Sequence, residues 1–172
     1  MSGSLVLIDE EVVSSAVASV SLTGINSDYD VYKIQFFNVA PSSDNTNLSL
    51  RVEESGTANT TTSYDNAQKY IKCDASFVNY NWTNLNRAYL CLQVGFNTNE
   101  TSQGHMFVFN ASNSSEYTAL TYETLYNNVH TNLWGMKGGI NFKSASAVDG
   151  IQFTMDTGNI DSGTFRLYGL NS

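Results

Sequence analysis

The chain has 172 residues, only 14% of them charged, and a formal net charge of −8 with eight Lys and Arg. Nucleic-acid backbones and anionic lipid surfaces attract clustered basic residues, so this composition argues against nucleic-acid and membrane partners. The length suits one domain whose core needs no disulfide or metal, and we predict a single domain over residues 1–172.

Apolar and polar residues alternate with a period of two in most apolar segments, which predicts strands because successive side chains of a strand point to opposite faces. The strongest such segment covers residues 30–39, where both faces carry apolar groups and a central strand is indicated. Turn residues at 24–28 and 41–45 separate it from its neighbours. The strands predicted in this part of the chain cover residues 5–8, 16–22, 30–39 and 48–52.

The middle of the chain is less clear. Residues 64–74 fit a short helix as well as a strand, because Ala67, Tyr70 and Ile71 match either spacing. Polar loops are predicted at 54–63, at 79–86 with Trp82 within it, and at 97–103. Further strands are predicted at 88–94, 106–109, 117–126, 133–142, 150–155 and 164–170.

Short strands separated by turn signals at intervals of about 8–12 residues indicate a sandwich or barrel. No fixed-period repeat occurs in the sequence, which argues against a propeller or solenoid. We therefore predict an all-β, antiparallel β-sandwich of jelly-roll-like architecture.

Few residues suit catalysis or metal binding. His105 and His130 are the only imidazoles, and we interpret them as edge or loop residues; two histidines at unrelated spacing make a poor zinc site. Glu116 and Glu123 could face a common cleft as the paired carboxylates of a glycoside hydrolase, but isolated acids on strands are usually solvated. We predict no enzymatic activity and no cofactor or metal.

The two cysteines, Cys73 and Cys91, are eighteen positions apart and form no CxxC pair. We interpret them as free, partly buried thiols. A bridge between neighbouring strands stays open at this point, because it depends on a Cα separation that the sequence does not contain.

Four aromatic residues lie in or near the polar loops of the middle segment. Exposed rings beside Asn and Asp can stack on sugars, and rings are also enriched at the centres of protein interfaces. We predict that these residues contribute to an interface: Tyr64, Tyr80, Trp82 and Tyr89.

Several segments resemble a recurring type of small tailed-bacteriophage virion protein, over nearly the full chain. They are LVLI at 5–8, AVASVSLTGI at 16–25, DYDVY at 28–32, NSSEY at 113–117, DGIQF at 149–153 and NIDSGTF at 159–165. The resemblance implies a jelly-roll-like sandwich on the virion, often a homotrimer. It does not separate capsid from tail or fibre placement, and it assigns no functional residues.

The expected function is that of a capsid decoration (cement) protein, which would bind neighbouring major-capsid subunits, or other virion proteins, and stabilise the shell. The alternative is a tail or fibre receptor-binding module that recognises a host surface glycan. A glycan hydrolase is a third class. The N-terminus lacks a basic n-region and no apolar run approaches a membrane span, so we expect synthesis in the host cytoplasm and a final location in the virion.

Overall fold

The computed structural model describes residues 4–73 and 76–170, and thirteen strands account for most of them. No helix occurs in these two ranges, so none there could span a membrane. The strands are β1 Leu5–Val13, β2 Ser19–Thr23, β3 Val31–Pro41, β4 Thr46–Glu54, β5 Thr57–Ala58, β6 Tyr64–Lys72, β7 Phe77–Leu85, β8 Ala88–Val94, β9 Ser102–Phe109, β10 Tyr117–Asn127, β11 Leu133–Ala145, β12 Gly150–Met155 and β13 Ile160–Leu170.

The strands form two antiparallel sheets. The larger sheet has eight strands in the order β1-β13-β3-β9-β10-β11-β6-β7. In the smaller sheet β12 lies between β2 and β4, and β4 also pairs with β8 and with the short β5. The predicted all-β, antiparallel sandwich is confirmed.

The core fills the space between the two sheets. Three phenylalanine rings mark its centre: Phe36 and Phe165 come from the large sheet and Phe153 from the small one. The Phe153 and Phe165 ring centroids are 4.9 Å apart, and Phe36 is 6.1 Å from Phe153. All three side chains are essentially inaccessible to solvent, so at this point the inner faces of β3, β13 and β12 are buried against the opposite sheet.

Side chains of the large sheet also bond the backbone of β8, whose pairing with β4 is interrupted by two register shifts. The Tyr89 N–H donates to Asn66 Oδ1 at 2.8 Å, and the Leu92 N–H donates to the Tyr126 hydroxyl at 3.1 Å. Thr124 Oγ1 donates to the Leu90 carbonyl at 3.0 Å. Buried backbone groups need such partners, so these bonds fasten β8 to the opposite sheet.

Three segments differ from the sequence prediction. Residues 64–72 of the ambiguous segment form strand β6, whereas residue 74 lies outside the described residues. Most of the predicted loop at 79–86 is edge strand β7, which is largely polar because neither of its faces is well covered. Strand β1 runs on through Asp9, Glu10 and Glu11 to Val13, since an edge strand does not require burial.

Candidate functional site

The most distinctive surface is the outer face, which we define as the side of the eight-stranded sheet turned away from the small sheet. A row of eight polar residues in register crosses this face, one on each strand. It consists of Glu10, Arg166, Gln35, His105, Glu123, Lys137, Lys69 and Asn79. Strand periodicity places all eight on one surface, because each points away from the inward-facing neighbours on its strand.

Aromatic rings stand next to this row. Phe37 and Phe107 each lie two positions from a row residue on the same strand, and both are partly exposed. The Phe107 ring is 6.1 Å from the His105 ring in an edge-on arrangement. The Arg166 guanidinium lies 5.1 Å from the centroid of Phe37. Flat apolar faces and hydrogen-bonding groups therefore alternate across the centre of the sheet.

Three shallow depressions lie on the outer face and adjoin one another. The first has a volume of about 520 Å³ between Phe37 and Leu125, and His105 and Glu123 line it as well. The second, also about 520 Å³, shares His105 and Glu123 with the first and continues to Gly139. We call the three together the outer-face groove.

The third depression, about 400 Å³, shares Gly139 with the second and extends across β6 to Asn81. Small residues form its floor: Ala67, Ala119 and Gly139. A Cβ atom added at Gly139 would lie 3.7 Å from the Leu120 carbonyl oxygen and meet no other neighbour within 4 Å. A Cβ atom at position 139 would therefore make only an ordinary van der Waals contact.

The acids of the outer face are paired with bases. Glu10 bonds Arg166, and Glu123 bonds Lys137. At the margin of the face Asp65 lies 2.9 Å from Lys143. The hydrogen bond from Lys137 lowers the pKa of the Glu123 carboxyl, so this group stays ionised at neutral pH. The general acid of a glycoside hydrolase needs a raised carboxyl pKa instead.

Glu116 and Glu123 do not form the carboxylate pair of a glycoside hydrolase. Glu116 precedes β10, and Glu123 lies seven residues further along an extended strand, or roughly 23 Å away at the usual rise of a strand. Catalytic carboxylate pairs are separated by about 5–9.5 Å. Among the described residues, no group of three or more His, Cys, Asp or Glu side chains could hold a metal ion.

The structure separates the four predicted interface residues. Tyr64 is completely buried, so its side chain cannot contact a partner. Its hydroxyl accepts the Val52 N–H at 3.0 Å, and its ring lies 5.0 Å from Phe142. Tyr64 directly follows a polar surface loop in the sequence, but its ring points inward from β6.

Tyr80, Trp82 and Tyr89 lie together, and we call them the aromatic shelf. The Tyr80 and Trp82 rings stack at 5.4 Å, and Trp82 meets Tyr89 edge-on at 5.5 Å. Tyr80 is 44% exposed, while Trp82 and Tyr89 are half-buried. Tyr80 and Trp82 alternate with Asn79 and Asn81 along edge strand β7 and so point to its inward side, although Trp82 also lines the third depression.

Sequence reasoning missed the centre of the groove. His105 lies on β9, an interior strand of the large sheet between β3 and β10, and not at an edge or in a loop. The alternation of Lys33, Gln35 and Phe37 along β3 was a signal that these residues share one face. Gln35 and His105 are side by side because of the register between β3 and β9, and local sequence patterns do not specify that register.

No protein-family model and no curated protein matches the chain. Among solved structures it is similar to the galectin LEC-6 of Caenorhabditis elegans, with 7% identity, coverage of 95% of this chain and 96% of that chain, and a TM-score of 0.37. It is also similar to a human SPRY domain, with 9% identity, coverage of 98% and 97%, and a TM-score of 0.38. The chain is similar to these structures in its all-β, jelly-roll-like fold, and at these TM-scores the similarity says nothing about function.

Proposed function

We propose that this chain is a non-enzymatic adhesion module that binds a host surface glycan through the outer-face groove. The observation that carries the proposal is the groove itself: three adjoining depressions lined by hydrogen-bonding side chains and by the rings of Phe37 and Phe107. Ligand sites combine apolar contact area with a few placed polar groups, and their volumes lie in the range of these depressions.

The chemistry of the lining matches that of a sugar. A pyranose ring presents hydroxyl groups around its rim and apolar C–H groups on its faces. Gln35, Asn81 and Asn141 each offer both donors and acceptors to hydroxyl groups. The partly exposed rings of Phe37 and Phe107 offer flat surfaces to the C–H face. The shallow groove, mostly apolar but edged by a few hydrogen-bonding side chains, suits a ligand that carries both kinds of surface.

Matched substitutions at the groove test this proposal. His105→Ala and Phe107→Ala remove one polar and one aromatic group, and each should weaken glycan binding at least about fivefold, as central interface residues do. The purified variants are measured on a printed array of host-type glycans and then by calorimetry on the best ligand. His130→Ala, in the β10–β11 connection, and Phe96→Ala, with a ring 51% exposed in another loop, are the controls. Equal loss in the controls, or no glycan bound by the unmodified chain, would overturn the proposal.

On the basis of the sequence resemblance, we also propose that the chain is part of a tailed-phage virion and forms a homotrimer.

Capsid decoration is the second candidate function, and edge strand β1 favours it. This strand leaves one side of its backbone unpaired and exposes Leu5, Leu7 and Val12 by 49%, 52% and 62%. Such an edge can add a strand from a capsid subunit or a second copy.

The two candidates predict different positions in the particle. Electron cryomicroscopy of virions should show the chain at the tail or fibre tip if it binds host glycans. Density at local three-fold positions of the capsid shell, together with loss of shell stability when the chain is removed, would favour decoration. The second result would reject the receptor-binding role.

A further inference from the structure

Charge is distributed very unevenly in this molecule. Sixteen acids and eight bases give the chain its formal charge of −8. Yet five of the eight bases lie along the outer face of the described residues, and three of them pair with acids there: the bases are Lys33, Lys69, Lys137, Lys143 and Arg166, and the paired acids are Glu10, Asp65 and Glu123. The groove therefore lies on the face that carries most of the bases of an acidic protein.

Two of the five bases on the outer face form no ion pair with an acid. Each of the three acids pairs with one base, which accounts for Arg166, Lys137 and Lys143. Lys33 and Lys69 form no ion pair within the described residues. Their ammonium groups lie over aromatic rings instead: Lys33 Nζ is 5.8 Å from the centroid of Phe107, and Lys69 Nζ is 5.0 Å from that of Phe77.

The position of Lys69 is electrostatically unfavourable without a ligand. Lys69 is directly opposite Lys137 in the β6–β11 register. Like charges at such positions, with Cβ atoms about 4.5–5.5 Å apart, destabilise a sheet. Glu123 pairs with Lys137 from the other side, on β10, and forms no ion pair with Lys69. An anionic group bound beside Lys69 would remove this repulsion.

The two lysines without an ion pair lie on strands β3 and β6, which also contribute residues to the groove, although neither lysine lines a depression itself. Lys33 is on β3 and Lys69 on β6, four strand spacings apart, which corresponds to roughly 19 Å across the sheet. One sugar unit cannot reach both positions. A chain that carries an acidic group on more than one unit can place one acid near each lysine.

We infer that the glycan taken by the outer-face groove is an acidic oligosaccharide, with carboxylate or sulfate groups on more than one sugar unit. The inference rests on the proposed function and assigns its ligand class. Lys33 and Lys69 bind the acidic groups, while Gln35, His105 and Phe107 contact the sugar between them. The net negative charge elsewhere on the chain repels acidic ligands from every other surface and directs them to this one.

Matched ligands test the inference. The probes are a uronic-acid hexasaccharide, a sulfated hexasaccharide, and the uronic-acid hexasaccharide after reduction of its carboxyl groups to hydroxymethyl groups. The unmodified chain should bind at least one acidic form at least about fivefold more tightly than the reduced form in about 0.05 M salt. This preference should shrink in about 0.5 M salt, where exposed charges are screened. The uronic and sulfated arms identify which acidic group is bound.

Lys33→Gln and Lys69→Gln should each weaken binding of the acidic ligand by about two- to fivefold, the size of an exposed ion pair, and leave the reduced ligand unaffected. Arg87→Gln is the matched control, since it removes one positive charge from the ion pair with Asp156, away from the outer face. All three variants change the net charge equally, so a difference among them reports position and not total charge.

The possible failures are distinguishable. If acidic and reduced ligands bind equally well, or if both lysine variants weaken both ligands alike, the ligand class is wrong while glycan binding stands. If a single-stranded oligonucleotide of equal charge displaces the acidic ligand with the same affinity, the basic surface does not select glycans and the inference falls. If no hexasaccharide of either series binds while the printed array shows another glycan bound, the ligand class is wrong; if the array also shows no binding, the proposed function itself is lost.

Discussion

The two cysteines show how far identical side chains diverge with their surroundings. Cys91 lies on β8 with no exposed surface, and burial raises the pKa of its thiol to about 12. Cys73 follows β6 and is exposed. Both thiols are free, which answers the question of a bridge that spacing in the sequence left open.

This contrast predicts selective labelling. The thiolate is the reactive form, so Cys73 should react with a thiol-specific disulfide reagent near pH 8 and Cys91 should not. We expect about one thiol per native chain and about two in denaturant, measured by absorbance of the released thiolate. The variant Cys73→Ser provides the control, with no labelling in the native state. Rapid labelling of both thiols in the native chain would contradict the burial of Cys91.

Buried polar side chains have an equally specific role. Asn66 is only 1% exposed, and its amide nitrogen donates to the Tyr122 hydroxyl at 3.3 Å while its carbonyl accepts the Tyr89 N–H. In the sequence Asn66, between Asp65 and Ala67, looks like a solvent-facing residue. Here it satisfies a backbone group of the other sheet.

At the scale of the elements, this bond is one of the links that hold β8 in the sandwich. Asn66→Ala should destabilise the fold by about 1–3 kcal/mol, because the part-buried Tyr89 N–H would lose its partner. The free energy of unfolding in urea measures the change. Asn79→Ala, at an exposed position of β7, should stay within about 0.5 kcal/mol of the unmodified chain. Equal effects in both variants would show that the link to β8 contributes nothing.

Strands β9 and β7 show which elements a pattern search finds. Strand β9 lies inside the large sheet, and its apolar run at residues 106–109 made it visible in the sequence, since Met106 and Val108 contact the core. Edge strand β7 exposes residues on both sides and therefore lacks the alternation that predicts a strand. Its pairing with β6 through backbone hydrogen bonds, and not its side chains, defines it as a strand.

For the whole molecule, one core joins the two sheets from end to end. The phenylalanine cluster of Phe36, Phe153 and Phe165 lies near β3, β12 and β13, and the edge-on contacts of Trp134 with Tyr70 and Tyr126 continue the packing toward β7. Because the buried faces of the two sheets cover each other, neither sheet can keep its face covered if the other unfolds.

This continuity predicts a single cooperative unfolding transition. Far-ultraviolet circular dichroism reports all strands, whereas fluorescence reports Trp82 and Trp134, which lie on β7 and β11. The two probes should give the same midpoint in urea. A fluorescence midpoint at clearly lower urea would mean that the β6–β7 end opens first, and would contradict the prediction. Core variant Phe153→Ala, expected to cost about 3–5 kcal/mol, should shift both midpoints together.

The sequence by itself determined the fold class and most of the strands, because burial of one strand face imposes a period of two that any half-buried strand must show. It also determined the acidic net charge. Local periodicity alone is enough to put Lys33, Gln35 and Phe37 on one face of β3.

Only the tertiary structure decided which strands are neighbours. Gln35 and His105 are seventy positions apart, and their contact depends on antiparallel register between β3 and β9, which local side-chain patterns do not specify. The same long-range pairing placed Lys69 opposite Lys137, joined the three depressions into one groove and turned Tyr64 into the core. The period-two geometry of a strand determines which of its side chains share a face. The pairing of distant strands determines which faces come together, and the candidate site depends on that pairing.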